Sequence, residues 1–192
     1  MDLPYRMDAQ YKNEDLQNID RCIVPLHYSD TAAYLIKGFK FNQQLAYGRI
    51  LGTILAEYLV KEFMWLKSNS KQYSIPLPHC VIPVPLHSTR IKHRGFDQNR
   101  EIVKIASKML QLPIETKTCV RVLATRPQTE LTRTERLQNV RGAFVVVGKV
   151  PTCVAVVDDV ITTGATINEL AQTLKRAGVQ YIHAWAVART GD

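Results

Sequence analysis

The stretch that decides the fold is "VAVVDDVITTGATINEL", residues 154–170. Its first four residues are apolar, and Asp158 and Asp159 follow them directly. A short apolar run of this kind indicates a buried strand. Ligands of open parallel sheets bind beyond the carboxyl ends of the strands, so the two aspartates predict a ligand site. Adjacent carboxylates repel each other, and a ribose diol or a Mg²⁺-bound ligand would satisfy them.

The residues after the aspartates form a turn rich in hydroxyl groups, with Thr162, Thr163, Gly164 and Thr166 leading into a predicted helix. Backbone N–H groups at a helix N-terminus favour an anion, and glycine permits close approach of a phosphate. One segment thus offers carboxylate acceptors for sugar hydroxyl groups and N–H donors for a phosphate, which together predict a site for a phosphorylated ribose. The sequence does not match a P-loop, because it lacks the Gly-Lys-Ser/Thr of that motif. The alternative is that Thr163 or Thr166 is an ordinary helix cap beside a solvated loop.

Apolar runs and helical stripes alternate along the chain. The sequence predicts a small hairpin and a short helix within 22–41, then strands at 80–86, 117–123, 143–147, 153–157 and 181–188, and helices at 43–63, 97–110 and 166–177. On the second of these helices, Ile102, Ile105, Ala106 and Met109 share the predicted buried face. Strands alternating with helices predict an α/β fold whose parallel sheet is covered on both faces.

Composition narrows the class of protein. A chain of 192 residues with 46% hydrophobic side chains predicts one compact domain, and its net charge of +8 implies an anionic partner. Neither a long apolar run nor a basic, then apolar, start is present, so we expect no membrane span and no signal peptide. The four cysteines are far apart, which predicts reduced packing residues in a cytoplasmic protein and no zinc site.

A basic segment, "PVPLHSTRIKHRGFDQNR" at 83–100, follows the first strand of the main sheet. It predicts a pyrophosphate-binding loop, in which Arg94 and Arg100 supply forked donors and Gly95 permits a sharp turn. The basic side chains of this loop are His87, Arg90, Lys92, His93, Arg94 and Arg100. A solvated loop that serves solubility is the alternative.

A second basic segment, "RPQTELTRTERLQNVRGAF" at 126–144, predicts a mobile flap that closes over the site. Its candidate pyrophosphate-binding side chains are Arg126, Arg133 and Arg136. A groove for single-stranded nucleic acid is the competing use of these charges.

Two resemblances follow from these motifs. "VVDDVITTGAT" resembles the phosphoribosyl pyrophosphate loop of type I phosphoribosyltransferases. That resemblance implies a parallel sheet flanked by helices, with Asp158 and Asp159 on the ribose hydroxyls and Thr162, Thr163, Gly164, Ala165 and Thr166 around the 5′-phosphate. "HRGFDQN", the flap sequence and "YLIKGFKFNQQ" are similar to the ComF/GntX family, the competence-associated branch of that fold.

The family resemblance implies a bacterial cytoplasmic protein linked to uptake or processing of transforming DNA. It also implies a small N-terminal hood over residues 1–42 and a phosphoribosyltransferase-like domain over 43–192. Family members usually carry an N-terminal zinc module rich in cysteine, whereas the start of this chain has only Cys22. We therefore expect that module to have been lost or trimmed.

Two functions follow as hypotheses. The first is an enzyme that binds Mg²⁺ with phosphoribosyl pyrophosphate and transfers ribose 5-phosphate to an acceptor the sequence does not identify. Asp158, Asp159 and Arg94 would be its catalytic residues, and Mg²⁺ would be held through the ligand, with Asp158 and Asp159 as candidate protein ligands. Phe39, Phe41 and Tyr47 are expected to be core or sheet-covering residues, with stacking on a base as the alternative.

The second hypothesis is a non-catalytic module that uses the same site and basic loops to bind single-stranded DNA or a regulatory nucleotide. Proteins of the competence machinery are expected partners of either form, and a homodimer is among the open oligomeric states.

Overall fold

The computed structural model describes residues 16–69, 71, 74–124 and 133–190. Its strands are β1 (Arg21–Ile23), β2 (Leu26–His27), β3 (Cys80–Pro83), β4 (Cys119–Arg121), β5 (Phe144–Val146), β6 (Cys153–Ile161) and β7 (Tyr181–Arg189). Its helices are α1 (Asp30–Phe41), α2 (Leu45–Ser68), α3 (Ser88–Arg94), α4 (Gln98–Leu110), α5 (Arg133–Val140) and α6 (Ala165–Arg176).

The main sheet has the strand order β1-β7-β6-β3, with β2 also on β7, and every pair in it is parallel. β6 and β7 are paired from Cys153 opposite Tyr181 to Ile161 opposite Arg189. Both strands are buried along almost their whole length, as expected of a parallel sheet covered on two faces. The predicted α/β architecture is confirmed and is consistent with a type I phosphoribosyltransferase fold.

Two cores lie on opposite faces of the main sheet. On one face, α1, α2 and α4 pack over Val157, Trp185 and their neighbours. On the other face, α6 and the β4–β5 ribbon pack over Val154, Val156 and their neighbours. α2 and α4 approach closely at Gly52, where an added Cβ would lie 2.7 Å from the backbone oxygen of Ile102. The helix layers on both faces of the sheet therefore flank its carboxyl edge, where β6 ends.

The predicted hairpin near residue 22 is wrong. β1 and β2 both pair in parallel with β7, Cys22 opposite Ala184 and Leu26 opposite Ala188, so the chain continues in one direction instead of turning back. Pro25 lies between them and has no N–H to donate, which interrupts the ladder. The division into a hood and a main domain at residue 42 stays a prediction.

The strands predicted at 117–123 and 143–147 exist, but they lie outside the main sheet. β4 and β5 form an antiparallel ribbon, with Val120 opposite Val145. Val145 is exposed between the buried Phe144 and the half-buried Val146, the alternation expected of a strand covered on one face only.

The predicted helices are confirmed with small shifts in their bounds. Asp97 is the N-cap of α4, where its carboxylate accepts a hydrogen bond from Arg100 N at 3.1 Å. Met109 is exposed, so its predicted burial is wrong, and Leu110 and Leu112 pack against the core at that end of α4. The basic loop contains a further helix, α3, which ends at Gly95 with φ of 82°. That left-handed residue makes the predicted sharp turn into α4.

The four cysteines are free thiols, as predicted, and Cys80, Cys119 and Cys153 are buried. Burial raises the pKa of each of these three to about 11, so the thiols are protonated packing residues at neutral pH. In the described part of the chain, no helix combines the length and apolarity needed to cross a membrane.

Candidate functional site

β6 runs through the two aspartates and ends only at Ile161, four residues beyond the predicted end of the strand. Asp158 lies opposite Ala186 of β7, so both aspartates have extended backbone. Successive side chains of a strand point to opposite faces. Asp158 therefore lies on the face of Val156, toward α6 and the β4–β5 ribbon, whereas Asp159 lies on the face of Val157, toward α1. The two carboxylates are neighbours in sequence, but each has a side-chain donor of its own, Asn99 for Asp158 and Lys40 for Asp159.

Asp158 is held through one of its oxygens. Its Oδ1 accepts hydrogen bonds from Asn99 Nδ2 at 3.1 Å and from Asp159 N at 3.0 Å. Burial raises the pKa of the Asp158 carboxyl to about 7, and the nearby Asp159 carboxylate contributes to the shift. Lys40 and the hydrogen bonds act in the opposite direction. The site thus holds a carboxyl group that is costly to ionise in the absence of a ligand.

Asp159 is paired with a lysine from α1. Lys40 Nζ lies 2.8 Å from Asp159 Oδ1, and Asp159 is only 4% exposed. The second oxygen, Oδ2, is buried and has no hydrogen-bond partner in the described part of the chain. A buried carboxylate oxygen without a donor is costly, and a hydroxyl group or cation of a ligand would satisfy it.

The turn after β6 leads into α6 through Gly164, the N-cap residue, whose φ is 71°. Gly164 has no side chain that could cap the helix, and Thr163 Oγ1 accepts a long hydrogen bond from Ala165 N at 3.4 Å. The alternative of a threonine cap therefore stays a prediction, whereas its solvated loop is wrong, because Asp158 and Asp159 lie in β6. Gly164 and Ala165 are buried, and Thr162, Thr163 and Thr166 are half-buried, so this helix start is an enclosed location for an anion.

Arg94 reaches the same edge of the sheet from the end of α3. Burial lowers the pKa of its guanidinium, and the negative charge of Asp159 opposes that shift, which places the two groups within electrostatic reach. Arg94 also donates a hydrogen bond to Gln98, and its Cζ lies 5.7 Å from the centre of the Phe41 ring. A guanidinium held on two sides in this way is preorganised for an anionic ligand.

Arg121, at the end of β4, is a site residue that the sequence analysis missed. Burial lowers the pKa of its guanidinium to about 10, the charge of Arg90 lowers it further, and Asp158 acts in the opposite direction. Arg121 thus lies near Asp158, and Arg90 lies near Arg121. An arginine inside an apolar strand run was the signal in the sequence, since such runs seldom contain a charge.

Two further residues were missed as well. Asn99 lies in the "HRGFDQN" motif and Lys40 in "YLIKGFKFNQQ", but neither received a role. The tertiary packing of α1 and α4 on the sheet brings these two side chains to the aspartates.

The remaining predicted residues lie less centrally or outside the described part. His87 is the N-cap of α3, where its Nδ1 lies 2.8 Å from Thr89 Oγ1. Arg126 lies outside the described residues, as do the side chains of Arg133 and Arg136 in α5. Their roles as pyrophosphate ligands stay predictions.

The second half of the predicted flap is helical and is attached to α6. Gly142 N, just after α5, donates a hydrogen bond to the Glu169 carboxylate at 2.8 Å, and Val140 and Ala143 are buried. Residues 125–132 lie outside the described part of the chain.

The aspartate pair also fits the magnesium ion that the family resemblance implies. Mg²⁺ prefers oxygen ligands and commonly uses one or two carboxylates together with ligand phosphates and waters. Both donors to Asp158 bind its Oδ1, which leaves Oδ2, and the buried Oδ2 of Asp159 has no hydrogen-bond partner among the residues that the structure describes. These are suitable oxygens for a cation that arrives with a phosphorylated ligand, but they do not form a protein cage.

Comparison with known proteins finds relatives over most of the chain. Competence protein F of Haemophilus influenzae is 33% identical over 174 residues, which cover 88% of this chain and 73% of the relative. The DNA utilization protein YhgH of Salmonella typhi is 30% identical over 164 residues, covering 85% and 69%. Competence protein ComFC of Streptococcus pneumoniae is 24% identical over 163 residues, covering 84% and 65%. No family model matches the chain.

We predict that Asp158→Asn stabilises the protein above neutral pH. The pKa of about 7 exceeds the ordinary value of 3.8, so the folded protein binds the proton more tightly than the unfolded chain does. Stability from this group is therefore present at low pH and is lost as pH rises from about 4 to about 7. At pH 8 the asparagine variant should have a free energy of unfolding about 2–4 kcal/mol higher than wild type, and at pH 4 little difference. Urea unfolding at both pH values measures this.

The control for this prediction is Asp30→Asn, which removes an exposed carboxylate in the first turn of α1. Equal effects of the two substitutions at pH 8 would contradict the assignment of the shift to Asp158.

We also predict that Lys40→Met destabilises the protein by about 3–5 kcal/mol, because it leaves Asp159 buried with an unpaired charge. Adding Asp159→Asn to this variant should restore most of the loss. Lys37→Met is the matched control, since Lys37 is exposed on the same helix, and it should change stability by less than about 0.5 kcal/mol. Chemical unfolding at pH 8 measures all four proteins, and a loss for Lys40→Met no larger than for the control would show that the ion pair is unimportant.

Proposed function

Since the chain belongs to the ComF family of competence proteins, we propose that it serves natural competence or DNA utilization, and that it does so by binding a ribose 5-phosphate ligand such as phosphoribosyl pyrophosphate. Its relatives are named competence protein F and DNA utilization protein YhgH, which supports the first part. The second part rests on the site.

One observation carries the ligand assignment: the carboxylate pair and the start of α6 belong to one continuous segment. Asp158 and Asp159 offer acceptors for sugar hydroxyls, and the N–H groups that open α6 lie a few residues later, where a 5′-phosphate would be held. Asp159 Oδ2 is buried and has no donor within the described ranges, which favours a ligand that has hydroxyl groups.

We propose phosphoribosyl transfer as the reaction. The bond between ribose C1 and pyrophosphate would break as a nucleophilic acceptor bonds to C1, with pyrophosphate leaving as an anion. Arg94, Arg90 and Arg121 approach the site from α3 and β4 and would bind that departing charge. Asp158 and Asp159 would hold the ring hydroxyls. Mg²⁺, when bound with the ligand, would supply further positive charge to the pyrophosphate.

We expect calorimetric titration of Mg²⁺ with phosphoribosyl pyrophosphate to give saturable binding to wild type. The double variant Asp158→Asn, Asp159→Asn should bind at least tenfold more weakly, because it loses two charge-assisted hydrogen-bond acceptors. A charge-matched control, Asp30→Asn with Glu57→Gln, changes two exposed carboxylates of α1 and α2 and should bind like wild type.

Absence of binding to wild type, or equal binding to wild type and the double variant, would overturn the ligand assignment. Release of pyrophosphate in the presence of candidate bases or amines then tests for catalysis and identifies the acceptor class.

A second candidate function, binding of single-stranded DNA, is favoured by the outer surface of α1. Phe41 is 65% exposed and Tyr34 66% exposed, which is unusual for aromatic side chains on a soluble domain. Basic residues accompany them, since Lys37 is exposed on the same helix and Arg94 lies against the Phe41 ring. Exposed aromatic rings beside cationic side chains are the usual elements of a sequence-tolerant single-strand surface. Of the aromatic residues considered for stacking, Phe39 is buried in the core, which excludes it.

For this second candidate, Phe41→Ala should weaken binding of a fluorescent oligothymidine about tenfold, because stacking of one base contributes about 1–3 kcal/mol. Met64→Ala, at an exposed apolar position of α2, is the control and should leave binding unchanged. Anisotropy titrations at several salt concentrations should also give a steep negative dependence of affinity on salt. Equal affinities for wild type and Phe41→Ala would count against this surface.

A further inference from the structure

Asn99 connects the ends of two neighbouring strands through a single side chain. It is 0% exposed in the first turn of α4, and its Nδ2 donates hydrogen bonds to Asp158 Oδ1 at 3.1 Å and to Val84 O at 3.1 Å. Val84 directly follows β3, and Asp158 belongs to β6, which pairs with β3. The cap that Asp97 makes on α4 fixes the position of that first turn.

The backbone oxygen of Val84 fixes the orientation of the Asn99 amide. A carbonyl oxygen only accepts hydrogen bonds, so it selects the NH₂ end of the amide. Rotating the amide by half a turn would place Asn99 Oδ1 against two acceptors, Val84 O and Asp158 Oδ1. Asn99 therefore always presents an N–H group to Asp158.

The other end of the amide supports a role beyond packing. Asn99 Oδ1 is buried and has no hydrogen-bond partner in the described part of the chain. Buried polar atoms are normally satisfied, and an exception calls for an explanation. An apolar residue of similar volume would avoid this cost, and the gain from asparagine lies in the two hydrogen bonds that its nitrogen donates.

The two oxygens of Asp158 therefore have different roles. Oδ1 is taken by Asn99 Nδ2 and by Asp159 N, so Oδ2 remains for a ligand. We propose that Asn99 is a positioning residue of the site: by holding Oδ1 of Asp158, it directs Oδ2 toward the hydroxyl groups of a ribose and so sets the preference for a ribose phosphate over phosphate alone. This inference rests on the proposed ribose 5-phosphate site.

The test compares two probes, ribose 5-phosphate and inorganic phosphate, by calorimetric titration. Asn99→Leu removes the donor at similar volume, and it should weaken binding of ribose 5-phosphate about tenfold or more while changing phosphate binding by less than about twofold. A merely structural role for Asn99 would weaken both probes alike. The control is Asn69→Leu, which removes an amide donor to Trp65 O at 2.8 Å, far from the site along the chain at the end of α2.

The outcomes separate the two levels of the proposal. Wild type that binds the two probes equally, or binds neither, would overturn the ribose site and this inference with it. Wild type that prefers ribose 5-phosphate, combined with an Asn99→Leu protein that keeps the same preference, would overturn the role of Asn99 alone.

A measurement on wild type decides the question if Asn99→Leu does not fold. The side-chain NH₂ resonances of Asn99 should shift when ribose 5-phosphate is added and stay in place when phosphate is added. Resonances that respond to neither probe, or equally to both, would overturn the positioning role.

Discussion

The site depends on one constraint, the extended conformation of β6 as far as Ile161. Pairing with β7 continues through Asp158, and the alternation of side chains along a strand sends the two carboxylates to opposite faces of the sheet. Two aspartates in a turn would compete for the same donors. In this strand each carboxylate has a donor of its own, Asn99 of α4 for Asp158 and Lys40 of α1 for Asp159.

This arrangement is unfavourable for the protein without a ligand. It holds a carboxyl group whose pKa is raised by burial, together with a buried carboxylate oxygen and a buried amide oxygen that have no hydrogen-bond donor among the described residues. Each is destabilising by itself, and an asparagine or an apolar residue would remove it. Features that lower stability tend to cluster at functional sites, so their concentration at one end of β6 favours a binding role over a structural one.

Local patterns predicted the parts of this structure whose cause is local. The apolar run of β6, the helical stripe of α6 and the turn at Gly95 all follow from a few adjacent residues, and all were found. The errors arose where the structure of a segment depends on the strand with which it pairs. Nothing within residues 21–27 shows that both short strands would join β7, and nothing in "VAVVDD" shows that hydrogen bonds to β7 would extend the strand through two charged residues. Lys40 and Asn99 were missed for the same reason, since they lie 119 and 59 positions from their carboxylate partners.

The charge of the chain is a further property whose meaning depends on the fold. A net charge of +8 implies an anionic partner but does not say which one. In the fold, Arg94 is within electrostatic reach of Asp159 and Arg121 of Asp158, and Arg90 lies near both arginines, a grouping that would suit a compact anion such as pyrophosphate. The exposed rings of Tyr34 and Phe41 lie on α1, the helix whose Lys40 contacts Asp159. One helix thus contributes to both surfaces, and the two candidate functions do not compete for the same side chains of α1.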